Sequence, residues 1–260
     1  MPKRKEALVF ERERGNKLYL VAVMLKHSKG ALADVATRLE EAGFDLLSGF
    51  IGSTDDEKYS RCSWFMEATA GRPSKEEVKL LLERSPYCSK VEVKEAHSAV
   101  LVDSLNFPLT WGTGGRVIML RTHFFDVMEQ AIRALLSSGA DVLLYQMGLN
   151  HGRPSWTDLL SSYKVKTKED LAEIAQIYSA TGWGRIEVLE FAPGSSRAVV
   201  RFSEGFESMN RSSEGRTGCN FTRGHLAGFF SVVFGDEKVG VTETKCRLRG
   251  DPECEFAASA

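Results

Sequence analysis

Three cysteines and one glutamate near the end of the chain have side chains that bind metal ions. Cys219 is followed by Glu243, Cys246 and Cys254, and the last three surround a turn at residues 250–252, Gly-Asp-Pro. Thiolates and carboxylates form tetrahedral zinc sites, whereas two thiols alone can form a disulfide. The spacing by itself leaves three interpretations open: a metal site, a disulfide, or buried free cysteines beside a solvated glutamate.

The local pattern sets a condition for a shared site. Glu243 and Cys246 are three residues apart on a predicted strand, so they converge only if the strand bulges or ends between them. The turn then returns Cys254 toward Cys246, and Cys219 directly precedes the last predicted helix, whose N-terminus favours a thiolate. Four ligands from three segments would tie that helix to the terminal hairpin, and a closed site of this kind is structural.

Composition narrows the class of protein. The 260 residues are 43% hydrophobic and 27% charged, with a net charge of −1, which predicts a globular chain that binds neither nucleic acid nor an anionic membrane. The N-terminus lacks an apolar signal region and no run approaches 18 apolar residues. We therefore expect a cytoplasmic protein. Disulfides are rare in that reducing compartment, and the odd count of five cysteines also argues against a disulfide framework.

The first part of the chain predicts a ferredoxin-like βαββαβ domain. Strand and helix patterns alternate in that order over residues 17–97, and Ser74 with Glu77 forms a capping box at the start of the second helix. Residues 1–16 are predicted as a charged tail or short edge element. The expected division is a tail at 1–16, a regulatory domain at 17–98 and a second domain at 99–260.

The second part predicts helices followed by an antiparallel sheet, so the fold class is α+β. Residues 117–121 are expected to form a short apolar strand, and residues 122–139 an amphipathic helix. Residues 140–163 are predicted as helical on both sides of an interruption at 152–154. The apolar stripe of the amphipathic helix consists of Phe124, Val127, Met128, Ala131 and Leu135.

The first domain resembles the ACT domain, a regulatory module that often binds amino acids. The resemblance rests on the βαββαβ order and on the segment HSKGALADVATRLEEAGFDLLSGFIG. It implies an effector site at Gly30, Leu32 and Asp34, with Val35 completing the motif, and it implies dimerisation. Lys29 departs from the proline that the family usually carries at that turn.

The C-terminal part resembles the 4-vinyl-reductase-type domain. The segment GCNFTRGHLAGFFSVVFGDEKVGVTETKCRLRGDPECEF carries the pattern of Cys, a Gly-rich helix, Glu-x-x-Cys, a Gly turn and Cys-x-Phe. Residues from about 103 onward resemble the aromatic-sensing domain of phenol- and xylene-responsive activators. The resemblance implies a structural Zn²⁺ held by Cys219, Glu243, Cys246 and Cys254; His225 is the alternative ligand.

The same resemblance implies a hydrophobic cavity beside the metal that holds a small apolar or aromatic ligand. Phe202, in FSEGFE, takes the place of a pocket tryptophan, and Ile174, Tyr178 and Trp183 are further candidates. Each of these residues fits plain core packing equally well. The polar group that holds a phenol hydroxyl in the sensors has no clear counterpart.

These patterns favour a non-enzymatic regulatory protein, expected as a homodimer that acts through an unknown protein partner. Two other functions stay open. A tetrapyrrole-related vinyl reductase, or its accessory protein, would need catalytic groups, and no acid/base arrangement stands out in the sequence. A trafficking-type scaffold would show a filled cavity and an extended exposed apolar surface.

Overall fold

A computed structural model describes residues 9–11, 16–52, 57–69, 73–97, 100–111, 115–161, 163–209 and 218–260. The chain divides into two compact units, Met1–Val117 (unit 1) and Ile118–Ala260 (unit 2). The domain division at residues 98–99 stays a prediction from the sequence. Within the described ranges, no helix combines the length and the apolar character needed to cross a membrane.

Unit 1 contains a four-stranded antiparallel sheet in the order β3-β4-β2-β5, with the predicted βαββαβ succession. A short strand from the predicted N-terminal tail, β1, pairs with β6. The elements of unit 1 are β1 (Val9–Glu11), β2 (Asn16–Lys26), α1 (Ala31–Glu41), β3 (Phe44–Gly52), β4 (Tyr59–Thr69), α2 (Lys75–Glu83), β5 (Cys88–Glu95), β6 (Val100–Val102), β7 (Thr110–Trp111) and β8 (Gly115–Arg116).

The sequence of the central strand β2 is a nearly continuous apolar run because both faces of the strand are covered. Tyr19 and Val21 face the core formed with α1 and α2, whereas Leu18 and Leu20 pack on the other side with Leu101. A strand covered on both faces has no polar alternation. The predicted capping box is confirmed, because Ser74 and Glu77 exchange side chain–backbone hydrogen bonds at the start of α2.

Unit 2 places its helices first and closes with an antiparallel sheet in the order β11-β12-β10-β9. This confirms the mixed α and β content with helices packed on antiparallel strands. The elements are α3 (Thr122–Leu136), α4 (Gly139–Leu160), α5 (Lys168–Ala180), β9 (Arg185–Ala192), β10 (Arg197–Ser203), α6 (Asn220–Phe234), β11 (Gly240–Lys245) and β12 (Cys254–Ser259).

Two local predictions in unit 2 are wrong. Residues 117–121 form no strand, and α4 runs unbroken through Pro154 instead of stopping at residues 152–154. A proline inside a helix removes one hydrogen bond and ordinarily kinks or breaks the helix. Here α4 lies against α6, and that long-range packing maintains the helix where the local sequence favours a break.

Four glycines bring α4 and α6 into backbone contact. A Cβ on Gly148 would lie 2.1 Å from the Phe221 carbonyl oxygen, and one on Gly224 would lie 2.0 Å from the Tyr145 carbonyl oxygen. A Cβ on Gly152 or on Gly228 would lie 2.5 Å from a backbone atom of the other helix, further along the same pair. Only glycine permits such proximity, so these residues set the distance between the two helices.

Helix α3 presents its apolar stripe away from the core of unit 2. Phe124, Val127 and Leu135 from the predicted stripe are exposed, whereas Glu129 on the opposite side is buried. The periodicity predicted the stripe, and the structure gives its direction.

Candidate metal centre and aromatic cluster

The structure brings together the four residues that the sequence proposes as metal ligands. One ligand atom from each of Cys219, Glu243, Cys246 and Cys254 lies within 4.8 Å of the others. The Cys219 sulfur lies 4.0 Å from the Cys246 sulfur and 3.7 Å from the Cys254 sulfur. A disulfide requires about 2.05 Å, so the three thiols are free.

A β-bulge in β11 brings Glu243 and Cys246 to the same side. Glu243 lies opposite Phe256 and Lys245 lies opposite Glu255, with a register shift between them. The extra residue is Thr244, so two positions three apart face the same way, as the sequence argument required. The chain then returns through a short 3₁₀ turn to Cys254 at the start of β12.

Backbone donors surround the ligand side chains. The Cys219 N–H, at the start of α6, donates to Glu243 Oε2 at 3.1 Å. The Cys246 N–H donates to Asp251 Oδ2 at 2.7 Å, and the Arg247 N–H donates to Cys254 Sγ at 3.4 Å. These bonds orient the carboxylate and lower the energy of a thiolate at Cys254.

One oxygen atom of the Glu243 carboxylate indicates that the group can bind a cation. Its Oε1 is buried and has no hydrogen-bond partner among the described residues, although its Oε2 is engaged. Burial raises the pKa of the Glu243 carboxyl to about 7. A buried carboxylate oxygen without a partner is costly, and a metal ion would satisfy it.

The three thiols share their protons unequally. Hydrogen bonds from Cys219 and Cys246 lower the pKa of the Cys254 thiol to about 4. Hydrogen bonding with Cys246 and Cys254, and burial, raise the pKa of Cys219. Three sulfurs and one carboxylate oxygen therefore make a donor set that fits a tetrahedral zinc ion, which would release the remaining protons.

His225 takes no part in this group. Its Nδ1 lies 2.9 Å from the Tyr178 hydroxyl, inside a cluster of aromatic rings. Burial lowers the pKa of His225 to about 3, so the ring is neutral, and burial raises the pKa of Tyr178 well above its usual range. The alternative of His225 as a substitute ligand therefore has no support in the structure.

The aromatic cluster brings together three of the four candidate ligand-contact residues. The Tyr178 ring lies 5.3 Å from the Phe202 ring and 5.8 Å from the Trp183 ring, both edge to face. Trp183 also lies 4.5 Å from His225. Ile174 is half-buried and packs against the same core.

Five members of this cluster were not predicted from the sequence. Its further members are His151 and Trp156 on α4, Phe206 after β10, and Phe221 and Phe229 on α6. Phe221, His225 and Phe229 are spaced by four residues, so α6 carries an aromatic stripe that could have been found from the sequence. The Nε1 of Trp156 is buried and makes no hydrogen bond of ordinary geometry with any described residue.

The proposed effector residues of unit 1 lie at the start of α1. Gly30 has the left-handed φ of 87° that the turn requires, and Leu32 is exposed. Asp34 binds Arg38 through both carboxylate oxygens, at 2.8 and 3.1 Å, and accepts a hydrogen bond from Ser85 at 2.6 Å. Its carboxylate is therefore engaged within unit 1.

Solved structures with similar parts come from several protein classes. The phenol-responsive sensory domain of the transcription activator PoxR, solved with phenol, is 16% identical, with a TM-score of 0.48 over 57% of this chain and 79% of that one. A trafficking protein particle complex subunit 3 from Naegleria fowleri, covalently bound to palmitic acid, is 15% identical (TM-score 0.39, 54% and 96%). A vinyl-4-reductase family protein from Methanocaldococcus jannaschii is 20% identical (TM-score 0.35, 55% and 83%).

Comparison of sequences gives fewer matches than comparison of structures. No curated protein matches the chain at a significant level. The residues that a family model does match run from β10 to the end of β12 and include Cys219, Glu243, Cys246 and Cys254. Residues 199–260 match the V4R domain.

Proposed function

We propose that unit 2 is the sensory part of a non-enzymatic regulatory protein. In this proposal Cys219, Glu243, Cys246 and Cys254 hold a structural Zn²⁺, and the neighbouring aromatic cluster binds a small hydrophobic or aromatic molecule. The V4R match over the metal-binding segment supports the assignment. The zinc, when bound, supplies cross-linking of three chain segments and takes no part in a reaction.

The observation that carries this proposal is that α6 belongs to both sites. Its first residue follows Cys219, and its side chains Phe221, His225 and Phe229 lie in the aromatic cluster. Fixing the N-terminus of α6 to the terminal hairpin therefore also fixes one wall of the cluster. A ligand that binds one arrangement of α6 better than another would shift the balance between them.

The cluster has the composition of a small-molecule site. Aromatic rings form most of it, and the polar groups are few: the Tyr178–His225 pair, the Trp156 Nε1 and His151. His151 is exposed and Trp183 is half-buried, so the cluster reaches the surface on that side. Apolar sites with a few placed polar groups are typical for small ligands.

We also propose that unit 1 is an ACT-like regulatory module. Its βαββαβ order and its Gly30 turn support this assignment. An effector bound at that turn would contact Gly30 and the exposed Leu32, whereas Asp34 would first have to release Arg38 and Ser85. The output passes to a protein partner.

A scaffold function is the second candidate, because one observation favours it. Residues 118–143 of unit 2 include many exposed apolar side chains, of which Leu135 is 82% exposed. Extended apolar surfaces mark contacts with other proteins. A scaffold with such a surface would need no ligand in the aromatic cluster.

Native mass spectrometry of the purified full chain, before and after denaturation, tests the proposal. We expect one zinc per chain and a small molecule that denaturation releases. Toluene should raise the melting temperature of the metal-loaded protein, and Trp183→Leu should abolish that shift. Phe191→Leu is the matched control, since this aromatic residue packs on the same core but pairs with Phe234, outside the cluster. Zinc without any bound molecule or probe response would contradict the sensor and favour the scaffold.

A further inference from the structure

Exposed apolar side chains are concentrated on α3 and on the chain segments directly before and after it. We call this group of side chains the α3 face. Of the 18 large hydrophobic residues exposed in the described chain, nine lie within residues 118–143. They are Ile118, Met119, Leu120, Phe124, Val127, Leu135, Leu136, Val142 and Leu143.

The charges of α3 lie on the opposite side from this face. Glu129 is only 1% exposed, and Arg133 binds it at 2.9 Å and Asp141 at 2.7 Å. Asp126, the remaining charged residue of α3, is half-buried. The outer side of α3 therefore has no Asp, Glu, Lys or Arg, which reverses the arrangement of an ordinary surface helix. The exposed Arg121 lies directly before the helix, at its N-cap.

The apolar positions along α3 have the spacing of a helix-packing seam. Phe124, Val127, Ala131 and Leu135 follow one another at intervals of three, four and four residues. Intervals of three and four keep side chains on one face of a helix. A second helix can therefore pack along this seam over the whole length of α3.

We propose that the α3 face is a homodimer interface, in which α3 of one chain packs against α3 of a second copy across a two-fold axis. The area supports this occupant. At roughly 100–200 Å² for a fully exposed apolar side chain, the nine residues together present roughly 500–1,000 Å² at their observed exposures. Patches on monomers reach about 300–600 Å², and each partner of a stable complex contributes about 800 Å².

A second copy also fits the charge of the face. In a two-fold contact the same surface meets itself, so any charge near the axis would face its own kind. The uncharged outer side of α3 avoids this repulsion, and depletion of charge is typical of interface cores. The inference needs neither zinc nor a ligand, so it stands independently of the proposed function.

Sedimentation equilibrium of the full chain tests the dimer. We expect a mass twice that of the 28.8 kDa chain. Ala131→Arg introduces a charge at the middle of the seam, and arginine is nearly as good a helix former as alanine. It should raise the dimer dissociation constant at least tenfold. Ala33→Arg, which changes an exposed alanine of α1 in the same way, should leave the constant unchanged.

Two further variants make the outcome decisive. Val127→Glu with Leu135→Glu should give a monomer that keeps its helical circular dichroism, because both side chains are exposed in one chain. Ile51→Glu changes the exposed edge strand β3 of unit 1 and should leave the dimer intact. A monomeric wild-type chain would overturn the proposal and leave the face to unit 1 or to another protein. A dimer that Ile51→Glu dissociates and Ala131→Arg does not would also overturn it.

Discussion

Both units bury cysteines, and their surroundings shift the pKa values of Cys62 and Cys254 in opposite directions. In unit 1, burial raises the pKa of Cys62 to about 11. Cys62 lies on β4 and the half-buried Cys88 lies on β5, and both strands pair with β2. In unit 2, hydrogen bonds from neighbouring thiols lower the pKa of Cys254 to about 4. A thiol becomes a metal ligand when its surroundings stabilise the thiolate, and burial alone does the reverse.

The difference extends to how each unit is held together. Unit 1 packs two amphipathic helices on one face of a sheet, and its core is mainly apolar, with Ser63 and Ser85 buried beside it. Unit 2 depends on contacts between distant segments: the Cys219–Cys254 group, the glycine contact of α4 with α6, and the Tyr178–His225 pair. We therefore expect unit 2 to be sensitive to single substitutions at these long-range contacts.

The largest expected effect is that of Cys246→Ser. The variant should lose the zinc and reduce the free energy of unfolding of unit 2 by on the order of 5 kcal/mol. Zinc content by plasma mass spectrometry and melting by calorimetry measure the two together. Cys88→Ser, in unit 1, should keep the zinc and change stability by less than about 1 kcal/mol. If Cys246→Ser lost zinc but melted like the wild type, the metal would not stabilise the fold.

Gly148→Ala should have the next largest effect. The added methyl would lie 2.1 Å from a backbone oxygen of α6, which cannot move aside as a side chain can. We expect a loss of about 3 kcal/mol in chemical denaturation. The control is Gly139→Ala in the same helix, where the new Cβ meets only the Leu136 Cβ at an ordinary 3.7 Å. Equal stability of the two variants would show that the helices are not in backbone contact.

The smallest expected effect, about 1 kcal/mol between pH 7 and pH 6, is a pH dependence from His225. Its pKa in the folded chain is about 3, against 6.5 as the ordinary value, because burial disfavours the charged ring. The stability from this group is therefore complete above pH 6.5 and is lost as the pH falls toward 3, by at most about 1.4 kcal/mol per pH unit.

His225→Phe isolates that contribution. The variant removes the titrating ring but keeps an aromatic side chain beside Trp183 and Tyr178. Its free energy of unfolding should fall less steeply than that of the wild type between pH 6.5 and pH 4. Parallel curves for the two proteins would mean that His225 titrates normally and that the cluster is open to water.

The sequence predicts best those features whose cause is local. The capping box at Ser74 needs only residues three positions apart, and it is present in the structure. The bulge between Glu243 and Cys246 could be inferred because the cluster is impossible without it. Each of these features depends on a few neighbouring residues.

Features that depend on distant partners were missed. The continuity of α4 through Pro154 depends on α6, which follows about 70 residues later. The outward direction of Phe124 and Val127 depends on where the charged side of α3 finds its partners. A periodic pattern identifies the faces of a helix but not the molecule or solvent that each face meets.

The glycine contact has a mechanical consequence. With no side chains between them at Gly148, Gly152, Gly224 and Gly228, the two helices have no compressible layer that could absorb a small displacement. If a molecule that binds among these aromatic rings displaces α6, α4 must therefore move by nearly the same distance. The first turns of α4 carry Val142 and Leu143, so the displacement would change the surface where we place the second chain.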